Sequence, residues 1–236
     1  MKTSQQNEKG FTLVELAIVL VIVGLLIGGI LKGQELIANA QVTATINQMT
    51  GLDAATSTFR DKYNGFPGDL LNAQDRLPNC EAPCDEGDGD GQLDITAGSL
   101  PTAGDEAHLY FLQLRSDGLI TGFTGGSTIG FGEALPPASV GGGFFAGFST
   151  GSDLEGVTGA DARRGHYIGL AGDTAGDISD DNGAFSPAQA SRVDNKIDDG
   201  DPTTGSVVAV DGCIDGAIYD GDSESQACAI YYRIQG

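Results

Sequence analysis

The densest run of chemically capable side chains is Glu86-Gly87-Asp88-Gly89-Asp90-Gly91-Gln92-Leu93-Asp94. Oxygen donors fall at alternate positions around glycines, a spacing that can wrap a hard cation such as calcium. Glu86, Asp88, Asp90 and Asp94 would offer carboxylates and Gln92 its backbone carbonyl, with Asp85 able to replace Glu86. A second acidic stretch, 211–222, is a weaker version of the same idea. Four cysteines, Cys80, Cys84, Cys213 and Cys228, fit an oxidising compartment, and four can pair in three ways. Their C-x3-C and C-x14-C spacings lack the paired C-x-x-C pattern of a zinc site. The two histidines, His108 and His166, sit in no hydrolase motif, and Gly141-Gly142-Gly143 lacks the Lys-Ser/Thr of a phosphate loop. Catalysis therefore has little to build on, and an enzyme is not expected. One further carboxylate stands out by its surroundings. Glu15 is the only charge in the predominantly apolar 21-residue stretch 11–31. An ionised carboxylate at the centre of a bilayer costs on the order of 3 kcal/mol, so such a residue has a specific partner or task.

The element that carries Glu15 is long enough to be a membrane span. At about 1.5 Å per residue, 11–31 reaches roughly 30 Å, the thickness of a bilayer core. A secretory signal would have a shorter apolar region and a small-residue cleavage site beyond it. Lys2 and Lys9 precede the span and mark the cytoplasmic side. The chain after it is expected outside the cytoplasm. Gly24/Gly28 and Gly29/Gly33 form G-x-x-x-G pairs that let helices approach closely in lipid. Helical spacing then continues through Val42, Ile46, Met49, Leu52, Phe59 and Tyr63. Asn64-Gly65 followed by Pro67 predicts the stop, with Gly65 as the left-handed cap. The expected stem helix covers 11–63, roughly 80 Å at 1.5 Å per residue, and Gly51 is its weak point.

A head of 66–236 follows. It is Gly-rich and has no Trp, so long loops and short strands are expected. Helices are predicted at 105–117, capped by Asp105 with Leu109, Leu112 and Leu114 packing, and at 187–198, with Ser186 as cap and Pro187 in the first turn. Strands are predicted at 166–171, 207–210, 213–219 and 228–234, and 122–160 resists assignment. The last strand alternates: Cys228, Ile230, Tyr232 and Ile234 on one face, Ala229, Tyr231 and Arg233 on the other. The expected class is α+β, a long hydrophobic helix packed against an antiparallel sheet with long Gly-rich loops. A net charge of −21, from 12 basic and 33 acidic residues, argues against direct binding of nucleic acid.

The segment Gly10-Phe11-Thr12-Leu13-Val14-Glu15 resembles the processing site of type IV prepilins and type II secretion pseudopilins. The resemblance implies that 1–10 is a leader removed between Gly10 and Phe11 by a prepilin peptidase, with N-methylation of Phe11. It implies assembly into a helical filament, alone or with other pilins, in which Glu15 meets the Phe11 amine of a neighbour and Gly24 and Gly28 pack the stems. Before assembly the chain would cross the inner membrane once with a periplasmic head; afterwards it would lie in a surface or extracellular filament. Lys32 stands where many pilins carry a helix-kinking Pro. The head shares features with one branch of pilin-like proteins: Phe66-Pro67-Gly68-Asp69, Cys80 with Cys84, Lys196-Ile197-Asp198-Asp199-Gly200, and Cys213 with Cys228. The resemblance implies the disulfides Cys80–Cys84 and Cys213–Cys228.

The acidic run looks like the first nine positions of an EF-hand-type loop, departing from it at the twelfth, where Ala97 stands instead of a bidentate Glu. Two function classes follow. One is a structural filament subunit needing no cofactor, with Ca2+ as an optional ligand. The other is a membrane-tethered, exported calcium-binding domain that acts alone as an adhesin or enzyme. Glu15 and the Gly10/Phe11 site favour the first, since a plain anchor needs neither.

Overall fold

A computed structural model describes residues 12–158, 162–178, 182–221 and 228–234. The fold is α+β: a long N-terminal apolar helix and a four-stranded antiparallel sheet. Helix α1, Leu13–Tyr63, runs 51 residues. Its residues divide between two compact units, Met1–Ala40 and Gln41–Gly236. In the first unit the large apolar side chains from Leu13 to Ile37 stand exposed. The helix is long and apolar enough to cross a membrane.

In the second unit α1 turns amphipathic. Val42, Ile46, Met49, Leu52, Phe59 and Tyr63 are all buried. Spaced by three, four or seven residues, they make one stripe. Asn64, at φ 49°, takes the left-handed position that Gly65 was expected to fill. Asn tolerates that conformation because its short polar side chain can bond locally. Gly65 answers a different need, since a Cβ there would lie 2.7 Å from the Leu70 side chain. The helix is fastened by Thr56 Oγ1, 2.6 Å from Tyr110 OH, and by Tyr232 OH, which donates to Asp53 at 3.1 Å.

Three shorter helices follow: α2, Ala73–Arg76; α3, Glu106–Ser116; and α4, Pro187–Ile197. Helix α4 starts with a reciprocal capping box: the Gln189 N–H donates to Ser186 Oγ at 3.3 Å, and the Ser186 N–H donates to Gln189 Oε1 at 2.9 Å. At α3 the cap differs from expectation, because the Asp105 carboxylate accepts the Thr102 N–H at 2.7 Å instead of a helix N–H. Leu109, Leu112 and Leu114 are buried.

Strands β1, Gly143–Ser149; β2, Gly165–Ala171; β3, Val207–Ala209; and β6, Ile230–Arg233 form a sheet ordered β1-β2-β6-β3. Gly143 pairs with Ala171, Tyr167 with Arg233, and Val207 with Tyr232. Strand β1 lies in the span that resists assignment from sequence. The extended 213–219 strand is instead a short 3-10 turn at Asp211–Cys213 and a two-residue hairpin, β4 Ile214–Asp215 with β5 Ile218–Tyr219. Gly216-Ala217 supplies its turn, as a short hairpin requires. Disulfides join Cys80 to Cys84 and Cys213 to Cys228.

Candidate functional site

The first site is the start of α1. Gly10 and Phe11 lie outside the described residues. Thr12 and Glu15 form a capping box: the Thr12 N–H and hydroxyl both donate to Glu15 Oε2 at 2.8 Å, and the Glu15 N–H donates to Thr12 Oγ1 at 3.2 Å. The signal for it, Thr-x-x-Glu before an apolar run, is present in the sequence. Further along, Gly24, Gly28, Gly29 and Gly33 have open space where a Cβ would stand. Their surface is a shallow groove that another helix could enter. Lys32 pairs with Glu35 at 2.6 Å in an exposed ion pair.

The second site is the acidic loop. Asp88, Asp90 and Asp94 each place a carboxylate oxygen within 4.8 Å of the other two. Glu86 does not join them. Its carboxylate accepts the Asn72 N–H at 3.0 Å, at the start of α2, so it is spent on the neighbouring helix. Asp85, the expected substitute, accepts from Gln74 Nε2 at 3.2 Å and from the Glu86 N–H at 2.9 Å. Gln92 donates its N–H to Asp90 Oδ1 and accepts from Arg164 with its side chain. Ala97 at the twelfth place is buried, with its N–H donated to the Phe148 carbonyl at 3.0 Å. A bidentate ligand has no room to act from there.

Two acids that the local spacing does not mark hold the loop in place. Asp69 is 3 % exposed and Glu106 8 %. Asp69 accepts N–H bonds from Gly89 at 2.6 Å, Asp90 at 3.0 Å and Gly91 at 2.8 Å. Glu106 accepts from the Asp88 N–H at 3.0 Å and the Asp94 N–H at 2.9 Å. Burial raises the pKa of both, against the lowering effect of these N–H groups. Asp69, Asp88 and Glu106 also converge within 4.8 Å, so the loop presents oxygens on its buried side as well as its exposed side. Clustered carboxylates with this spread suit a hard divalent cation such as calcium. The only sequence hint is position: Asp69 ends the Phe-Pro-Gly-Asp turn and Glu106 opens α3.

A third acidic group, Asp194, Asp198 and Asp199, surrounds the end of α4. Asp194 is fully buried and accepts from Tyr219 OH at 2.9 Å and the Gly200 N–H at 3.3 Å. Burial pushes its pKa up to about 6. Asp198 accepts the Ser206 and Val207 N–H groups, closing the turn into β3. These contacts read as a fold-forming turn.

The histidines are placed by packing. His108 is buried, its Nδ1 accepting the Gly104 N–H at 3.1 Å and its Nε2 lying 3.1 Å from the Gly126 carbonyl. Those partners select the neutral tautomer protonated at Nε2, and burial lowers the pKa. His166 stacks on Phe66, ring centroids 3.7 Å apart.

Residues 5–31 match the family described as the prokaryotic N-terminal methylation motif. The chain thus carries the prepilin-type signal of type IV pilins and pseudopilins. No curated protein and no solved structure matched it significantly. Together the motif and the long apolar N-terminal helix fit a type IV pilin-like subunit, with a single-pass membrane anchor and a processing peptidase implied.

Proposed function

We propose that this chain is a pilin-like structural subunit. A prepilin peptidase cleaves between Gly10 and Phe11, and Phe11 is N-methylated. Residues 11–31 hold the chain in the inner membrane with the head outside the cytoplasm. Assembly with copies of itself or with other pilins then moves the apolar helix from lipid into the core of a type IV pilus or pseudopilus. The observation that carries this reading is the exposed apolar surface from Leu13 to Ile37, next to a matched methylation motif. Such a surface is stable only in hydrocarbon or against other helices. No catalytic step is proposed for the head. The loop at 88–94 is proposed to take calcium as a structural ligand of the head, on the strength of its convergent carboxylates.

Mass spectrometry of the N-terminus, in sheared surface fibres and in membranes, tests the proposal. A chain that starts at N-methylated Phe11 and is abundant in fibres supports a pilus subunit. The same terminus confined to membranes supports a pseudopilin or a scarce subunit. An intact Met1 in both fractions overturns it and leaves a plain signal anchor. Calorimetric titration with calcium tests the loop separately, and absence of binding heat removes that part alone.

A further inference from the structure

A cleft of about 750 Å³ opens in the Gln41–Gly236 unit, beside the last turn of α1 and the 65–71 segment. Its size is that of a small-molecule pocket. Its charge is unusual for this chain. Only 12 residues are basic against 33 acidic, yet Arg60 and Arg76 both line it. Arg76 is anchored by the Tyr63 carbonyl and, at 3.4 Å, by that of Leu71. The Arg60 side chain has no hydrogen bond or ion pair among the described residues, so its planar set of N–H donors is unspent. Asp69, the buried acid in the wall, gives its oxygens to three backbone N–H groups and neutralises neither arginine. Asp61, the other acid lining the cleft, forms no ion pair among the described residues. Behind them His166 stacks on Phe66, and its buried Nε2 has no hydrogen-bond partner among the described residues. Burial, then the Arg60 charge, brings its pKa down to about 4, so the ring is neutral near pH 7.

The wall therefore offers Arg60 N–H donors that no carboxylate of the cleft engages among the described residues. We propose that this cleft binds a small anion through a carboxylate or phosphate group, with Arg60 as its main contact and Arg76 and His166 behind. A guanidinium pairs with both groups through two parallel N–H bonds. The cleft borders the 88–94 loop, sharing Asp69, Gly89 and Gly91 with it, but the anion reading needs neither calcium in that loop nor filament assembly.

The chain has two histidines, so ¹⁵N-histidine labelling of the full-length protein in detergent micelles gives two pairs of ring-nitrogen signals, one pair per imidazole. His108, bonded to Gly104 and Gly126 and absent from the cleft wall, serves as the internal control. The probes are D-glucuronate and inorganic phosphate, titrated separately. The expected result is a saturable shift of His166 with His108 still, weakened about tenfold or more in Arg60→Gln. Response to glucuronate alone assigns a carboxylate ligand, response to phosphate alone a phosphate ligand, and response to both a shared anion site. The proposal is overturned by a His166 signal that neither probe moves. It is also overturned if the two histidines shift together, or if Arg60→Gln binds as tightly as the parent.

Discussion

Thr12 satisfies the carboxylate of Glu15 within one chain: its N–H and its hydroxyl both reach Glu15 Oε2 at 2.8 Å. The costliest group in the apolar segment thus has local partners before any neighbouring subunit arrives. Donors of this kind lower the cost of carrying a carboxylate into lipid, and the box also starts the helix. Assembly can then use the remaining charge of Glu15, because two N–H or O–H dipoles do not neutralise it.

That division of labour makes three substitutions informative. Glu15→Gln keeps a side chain that can cap at this position but has no charge. Thr12→Ala keeps the charge and loses a cap worth about 1 kcal/mol. If the charge drives assembly, Glu15→Gln falls as far as Glu15→Ala in the amount recovered from sheared fibres, while Thr12→Ala still assembles. Equal loss in Thr12→Ala and Glu15→Gln would instead mean that Glu15 serves only to start the helix.

The acidic loop separates an anchoring acid from exposed ones. Asp69→Asn removes the charged, buried acceptor of three loop N–H groups and is expected to destabilise the head by about 1.5–3 kcal/mol. Asp90→Asn, on the exposed side, is expected to change stability by less than about 0.5 kcal/mol without metal. Calcium should make Asp90→Asn costly as well. At about 100 times its dissociation constant it would stabilise the parent by roughly 2.7 kcal/mol, and a chelator would remove that gain. Urea melts of the full-length protein in calcium and in chelator read both. A melt of Asp90→Asn that calcium raises as much as the parent's would exclude Asp90 as a ligand.

His166 gives the head a dependence on pH. The unfolded chain takes up its proton near the ordinary value of 6.5, whereas the folded chain refuses it until about pH 4. Stability contributed by the neutral ring is therefore present above 6.5 and lost as pH falls towards 4, by up to about 3 kcal/mol. Asp194 works the other way. Its folded carboxyl keeps the proton to about pH 6, so stability falls as pH rises from 3.8 to 6. The two overlap, and only a difference measurement separates them. His166→Gln should be less stable than the parent near pH 7, where the Phe66 stack is lost, and that gap should shrink by about 3 kcal/mol near pH 4. A gap that stays constant in urea melts across this range would show that His166 does not titrate on unfolding.

Legibility in the sequence followed the range of the interactions. The α1 stripe, the Ser186-Pro187 start of α4 and the strand at Tyr231 and Tyr232 rest on local periodicity, capping and composition, and each stands in the structure, although both faces of that strand are buried. Strand β1 does not rest on such a pattern. Phe144, Phe145 and Ala146 are buried on both faces, so alternation disappears. Gly147 is required because a Cβ there would stand 2.6 Å from Ala97 on a distant segment. For the same reason the spacing that found Asp88, Asp90 and Asp94 could not find Asp69 or Glu106. Those two reach the loop through the fold, from 20 residues before Gly89 and 18 after Asp88. Glu86 fitted the spacing but was taken by Asn72, a contact that only the short α2 creates.

The two disulfides should differ in weight. Cys80–Cys84 spans a separation of 4, and Cys213–Cys228 one of 15. In the chain-entropy picture a longer closed loop removes more freedom from the unfolded chain, giving about 2 kcal/mol for the first and about 3 for the second. Location widens the difference. Cys213 and Cys228 are fully buried, and the Cys228 N–H and carbonyl are both bonded to Phe185, beside the start of α4. Their loop also carries Tyr219, which donates to buried Asp194. Freeing it would expose a carboxylate that now relies on that bond, so Cys213→Ser/Cys228→Ser is expected to lose more than the entropy alone, while Cys80→Ser/Cys84→Ser loses about 2 kcal/mol or less. Tyr219→Phe isolates the second contribution, with an expected cost of about 1.5–3 kcal/mol for a hydrogen bond to a charged group. Denaturation of the three variants side by side decides it. Equal losses in the two disulfide variants would mean that the late loop is held by packing and not by its crosslink.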